Sequence, residues 1–104
     1  MRKTYLVDIT DTAKRDLAST YDIIARDKPK AGVKWLRKID QHIRSLKRLP
    51  LRYEQIPEAE EIGSPYRHIL HVQYRIIYKV EEKLVTIVRV IHAARLLNPR
   101  FFDE

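Results

Sequence analysis

The chain has 104 residues, with 21 Lys and Arg against 14 Asp and Glu and a formal net charge of +7. That length fits one domain, 1–104, built on a single core, and the lack of cysteine excludes disulfides and thiolate metal sites. No apolar run approaches the ~20 residues of a membrane-spanning helix, so a soluble cytoplasmic protein is expected. The positive excess favours anionic partners: nucleic acid, anionic lipid or an acidic protein.

Tyr5-Leu6-Val7-Asp8-Ile9 is a short strand-type run. Thr10-Asp11-Thr12 then supplies cap-type side chains for a helix in which Ala13, Leu17, Tyr21 and Ile24 recur at spacings of three and four. Asp27-Lys28-Pro29 breaks that pattern, and Pro29 suits the first turn of a second helix, where a missing N–H is harmless. Leu36, Ile39, Ile43 and Leu46 give this helix its apolar stripe, and it ends before Leu49-Pro50. So short a link predicts an antiparallel helical hairpin. Trp35 is expected in the core or between the helices. Lys34, Arg37, Lys38, Arg44, Lys47 and Arg48 crowd the other face, read as a solvated surface with a phosphate-facing role left open.

Residues 50–66 are polar, punctuated by Pro50, Pro57, Gly63 and Pro65, with acidic side chains at Glu58, Glu60 and Glu61. Tyr66-Arg67-His68-Ile69-Leu70 reads as a strand returning tightly to Tyr74. Tyr74–Val80 and Leu84–Arg95 form a hairpin through Glu81-Glu82-Lys83, with Tyr74 and Tyr78 on one strand face and bound for the core. The tail Leu96-Leu97-Asn98-Pro99-Arg100-Phe101-Phe102 carries aromatics suited to docking on the body or a partner. The order is β-α-α-β-β-β, an α+β fold. Its antiparallel sheet is covered on one face by the helical hairpin and left open, concave and basic on the other.

Arg75 stands inside an otherwise apolar strand. Burial of arginine is costly unless it is exposed or paired, so the hairpin is expected to present cations on a working face. The structural alternative has Arg75 anchoring Glu58, Glu60 or Glu61. His42, His68 and His71 lack metal-ligand spacing, and neither a metal nor a cofactor is expected.

This element order, with Tyr74-Arg75-Ile76-Ile77-Tyr78 and the ending Arg89-Val90-Ile91-His92-Ala93-Ala94-Arg95, resembles the RelE/ParE superfamily of bacterial toxins over essentially the whole chain. The resemblance implies a toxin of a type II toxin–antitoxin system, held by a cognate antitoxin in a hetero-oligomer. RelE-like members are ribosome-dependent mRNA interferases that drive the RNA's own 2′-OH onto the phosphodiester. ParE-like members lack that catalytic set and poison DNA gyrase.

In a RelE-like enzyme Arg75 would contact the scissile phosphate, His92 would be the acid and Glu58 the base. Arg67 or His68 would stand for basic residues of the preceding strand, and Arg89 and Arg95 would face substrate or partner. Ala93 and Ala94 occupy places where the RNases carry aromatic or basic side chains, and His68-Ile69-Leu70-His71 lacks a lysine pair. These departures favour the ParE-like side, with ribosome-bound mRNA as the rival target. A basic nucleic-acid-binding module without toxicity is the remaining alternative.

Overall fold

The computed structural model describes residues 4–94. The expected order is present: β1 (Leu6–Ile9), α1 (Asp11–Asp27), α2 (Pro29–Ser45), β2 (Arg67–His71), β3 (Tyr74–Glu81) and β4 (Leu84–His92). A single 3-10 turn (Pro50–Arg52) and a four-residue helix, α3 (Ala59–Ile62), interrupt the segment between α2 and β2. The tail 96–102 lies outside the described residues, and so does Arg95.

The local signals act as read. The Thr10 side chain accepts from the Ala13 amide at 3.1 Å, capping α1, and Pro29 occupies the first turn of α2. The helices pack closely because residue 32 is glycine: a Cβ built there would lie 2.8 Å from the Ala25 Cβ. One helical position differs from expectation. Trp35, not Leu36, enters the core with Ile39, Ile43 and Leu46, while Leu36 lines an apolar groove beside Ile9, Leu17 and Val33.

The four strands form one sheet in the order β1-β4-β3-β2. β2, β3 and β4 make the expected antiparallel meander, and β1 joins them. The pairing of β1 corrects a fully antiparallel sheet to a mixed one, because it runs parallel to β4, with Leu6 opposite Leu84 and Ile9 opposite Ile87. Between Ile77 and Tyr78 the β3–β4 register shifts, leaving Val88 as the extra residue on β4. That bulge lets Ile87 and Val90, three residues apart, reach the same side.

The helical hairpin covers one face with Ala13, Trp35, Ile39, Ile43 and Leu46 against Ile69, Ile76, Tyr78, Val85, Ile87 and Val90. Tyr74 packs there too, meeting Trp35 edge-on at 5.3 Å between centroids, and the buried Tyr78 hydroxyl donates to the Pro50 carbonyl. The opposite face is not open. Residues 53–66 fold back over it, and Ile56 and Ala59 bury Ile77 and Ile91, with Ile62, Tyr66 and Val88 around them. The clamp is hydrogen-bonded as well, through the Ile56 amide to the Tyr66 carbonyl (2.9 Å) and the His68 amide to the Glu54 carbonyl (3.3 Å). No helix among the described residues is long and apolar enough to cross a membrane.

Candidate functional site

Strand alternation sends Tyr74, Ile76 and Tyr78 towards the helices and Arg75 towards the 53–66 segment. Arg75 is buried there instead of facing outwards. Its Nη1 and Nη2 donate to Glu58 Oε1 and Oε2 at 3.0 and 2.8 Å, with the two side chains only 5% and 13% exposed. A bidentate guanidinium–carboxylate pair is the strong form of this interaction, and it lets a strand arginine be buried without an uncompensated charge. Of the three carboxylates that sequence offered as anchors, the fold selects Glu58.

His68 lies beside this pair on β2, opposite Ile77 in register. Burial lowers its pKa below 6.5, the Arg75 charge lowers it further, and Glu58 and Glu54 oppose the shift. The net direction disfavours the cationic ring at this position. Arg67 is half-buried and tied down, with Nη1 donating to the Tyr53 carbonyl at 2.6 Å. It fastens the covering segment to the edge strand.

A second group forms at the end of the sheet, where β1 stops and α1 begins. The Asp16 carboxylate takes over as hydrogen-bond partner of β4, accepting from the Val90 amide at 3.0 Å. It also accepts from Arg89 Nε and Nη2 at 2.8 and 2.9 Å, and these side chains are about 15% exposed. Arg89 is therefore engaged within the domain, not presented outwards. Asp16 was not singled out from the sequence: it lies 73 residues from Arg89, and nothing local marks it.

His92 stands at this end, exposed, opposite Tyr74 in register and edge-on to its ring at 5.6 Å. Its Nδ1 accepts from the Ala94 amide at 3.1 Å. With Asp16, Ser19, Thr20, Ile23 and Tyr74 it lines a cleft of about 400 Å³. The fold thus brings Arg75 and Glu58 together on one face and keeps His92 on the other. RNA transesterification needs base, phosphate-binding cation and acid around one phosphodiester. Here two of the three engage each other and the third lies across the sheet.

A further pair escaped the sequence reading. His42 on α2 and His71 at the end of β2 approach to 3.3 Å between Nε2 and Nδ1. Burial, then the proximity of His71 and Lys38, lowers the His42 pKa below 6.5. Among the described residues no group of three or more His, Cys, Asp or Glu converges on a metal-sized space.

Comparison with known proteins fits this architecture. The family model of the ParE toxin of the type II toxin–antitoxin system parDE matches residues 7–97. Among solved structures, the chromosomal ParDE toxin–antitoxin system from P. aeruginosa is similar with a TM-score of 0.69 and 18% identity, over 86% of this chain and 97% of that one. The toxin–antitoxin complex RelBE2 from Mycobacterium tuberculosis is similar with a TM-score of 0.60 and 26% identity, over 86% and 98%. No curated protein matches the chain.

Proposed function

Because the chain belongs to the ParE toxin family of type II toxin–antitoxin systems, we propose that it arrests growth by binding DNA gyrase, without cutting RNA, and that a cognate antitoxin neutralises it. The observation that carries this reading over mRNA cleavage is the Arg75–Glu58 pair. A guanidinium that donates to a carboxylate through both terminal nitrogens, at 5% exposure, has to break that pair before it can meet a phosphate. The same bonds occupy both oxygens of the carboxylate that would serve as base. A toxin acting by binding needs no such constellation, and a sheet clamped on both faces suits it. Similarity to a ParDE and a RelBE2 assembly supports an antitoxin partner.

The test runs two assays on one preparation. Purified protein is titrated into a gyrase supercoiling reaction and, separately, into translating ribosomes carrying a reporter mRNA. Loss of supercoiling with intact mRNA is the expected result. Normal supercoiling at saturating protein, or cleavage of ribosome-bound mRNA, overturns the reading. For the partner, growth should recover when the product of a short adjacent reading frame is co-expressed.

A further inference from the structure

The exposed face of α2 has a composition that helix stability does not account for. In its 17 residues α2 carries five cations (Lys30, Lys34, Arg37, Lys38, Arg44) and one acid, Asp40, which Arg44 neutralises at 2.8 Å. All five cations are exposed. At 100° per residue Lys30, Lys34, Arg37, Gln41 and Arg44 share the side opposite Trp35, Ile39, Ile43 and Leu46, with Lys38 on its flank. Lys47 and Arg48 extend the stripe beyond the helix. Arg52 adds to its end, donating to the Arg48 carbonyl at 2.5 Å and the Ser45 hydroxyl at 3.0 Å.

Cations near the C-terminal end complement the helix dipole. Those at the start oppose it: Lys30 lies in the first turn, which contains no acid. Lys30, Lys34 and Lys38 also repeat at i, i+4, where like charges destabilise a helix. A merely solvated face interleaves signs, as α1 does with three cations and four acids in the same length. On α2 the local energetics are spent on concentrating positive charge.

We infer that the α2 stripe is a docking surface for the phosphate backbone of double-stranded DNA, read without regard to sequence. Protein interfaces place apolar and aromatic anchors at their centre and are depleted in lysine, whereas this stripe has Gln41 and Ser45 between its cations. Single strands are held on stacked aromatics, and the stripe offers none. A straight row of cations about 25 Å long meets what duplex DNA offers, one phosphate charge per ~1.7 Å of axis. This inference does not rest on gyrase as target, since DNA affinity and supercoiling are read separately.

Anisotropy of the full chain with a labelled duplex of arbitrary sequence tests it across a salt series. Affinity should fall steeply and linearly in log–log form as salt rises. The triple variant Lys34→Glu, Arg37→Glu, Lys38→Glu should bind at least ~100-fold more weakly at low salt, with a slope shallower by about 3. Lys14→Glu, Arg26→Glu, Lys83→Glu makes the same change of net charge at exposed sites elsewhere and should keep the wild-type slope. Thermal melts of both variants check that they remain folded. The inference is overturned if wild type does not bind, if the control loses as much as the stripe variant, or if a single strand or an acidic peptide binds more tightly than the duplex.

Discussion

The two faces of the sheet are buried by different physics. Towards the helices, Trp35, Ile39, Ile43 and Leu46 meet Ile76, Tyr78, Ile87 and Val90 in a packed apolar layer, with the Tyr78 hydroxyl satisfied at its rim. On the other side the covering is a segment with only a four-residue helix, and its small apolar cluster surrounds a bidentate ion pair. A thick layer tolerates the loss of one contact better than a thin one pinned by charge. The clamp side, with so little apolar cover, therefore depends on pairing being complete.

Breaking the ion pair gives the largest expected effect. Arg75→Ala leaves the buried Glu58 carboxylate without its bidentate partner, at a cost of about 3–5 kcal/mol, seen as a lower midpoint in urea. Adding Glu58→Leu should recover most of that loss, because the remaining charge goes as well. No recovery would mean that the pair does more than compensate burial.

On the helix side the corresponding probe is steric. Gly32→Ala drives a Cβ to 2.8 Å from the Ala25 Cβ. Overpacking of that kind costs about 1–3 kcal/mol, offset by the ~1 kcal/mol that alanine gains over glycine in a helix. Ala25→Gly in the same chain should relieve it, and a double-mutant cycle in urea measures the coupling.

Tyr78→Phe is milder, at about 1 kcal/mol for a hydrogen bond to the Pro50 carbonyl. Burial pushes the Tyr78 pKa from 10.0 up to about 12, ahead of the smaller opposing pull of Arg67 and Arg52. A raised acid pKa in the folded state means that its contribution is complete below pH 10 and is lost as pH climbs from 10 towards 12. The phenylalanine variant should lose that part of the alkaline fall in thermal midpoint.

The smallest effect samples both faces with acid. Folding lowers the pKa of His42 and of His68 below 6.5, burial being the main cause in each. Protons then favour the unfolded chain, so stability is complete above 6.5 and declines as pH drops through it. His42→Gln should remove the helix-side share of that decline and His68→Leu the clamp-side share. Thermal melts between neutral and mildly acid pH read both.

What could be read from sequence was what periodicity and capping encode locally. Thr10, Pro29, the Ala13-Leu17-Tyr21-Ile24 stripe and the antiparallel meander are all decided within a few residues of themselves. Sequence leaves Arg75 two settings, a working face or an anchor for Glu58, Glu60 or Glu61, because strand pattern says nothing about a polar loop folding back from 17 positions earlier. The parallel pairing of β1 with β4, the Asp16–Arg89 bond and the His42–His71 contact escaped for the same reason. Each depends on partners far apart in the chain and leaves no periodic trace. Leu36 is a subtler case, since it fits the stripe yet lines the groove beside Ile9, Leu17 and Val33.

The place of β1 beside β4 bears on how the molecule comes into being. A ribosome delivers the chain from its first residue at ~5–20 residues per second, so roughly 4–16 s separate the synthesis of Leu6 from that of Leu84. During that interval β1 has no ladder to join, β3 keeps an open edge, and Asp16 waits for an arginine not yet made. The finished surface therefore arrives at once, when β4 enters the middle of the sheet and closes both of its neighbours.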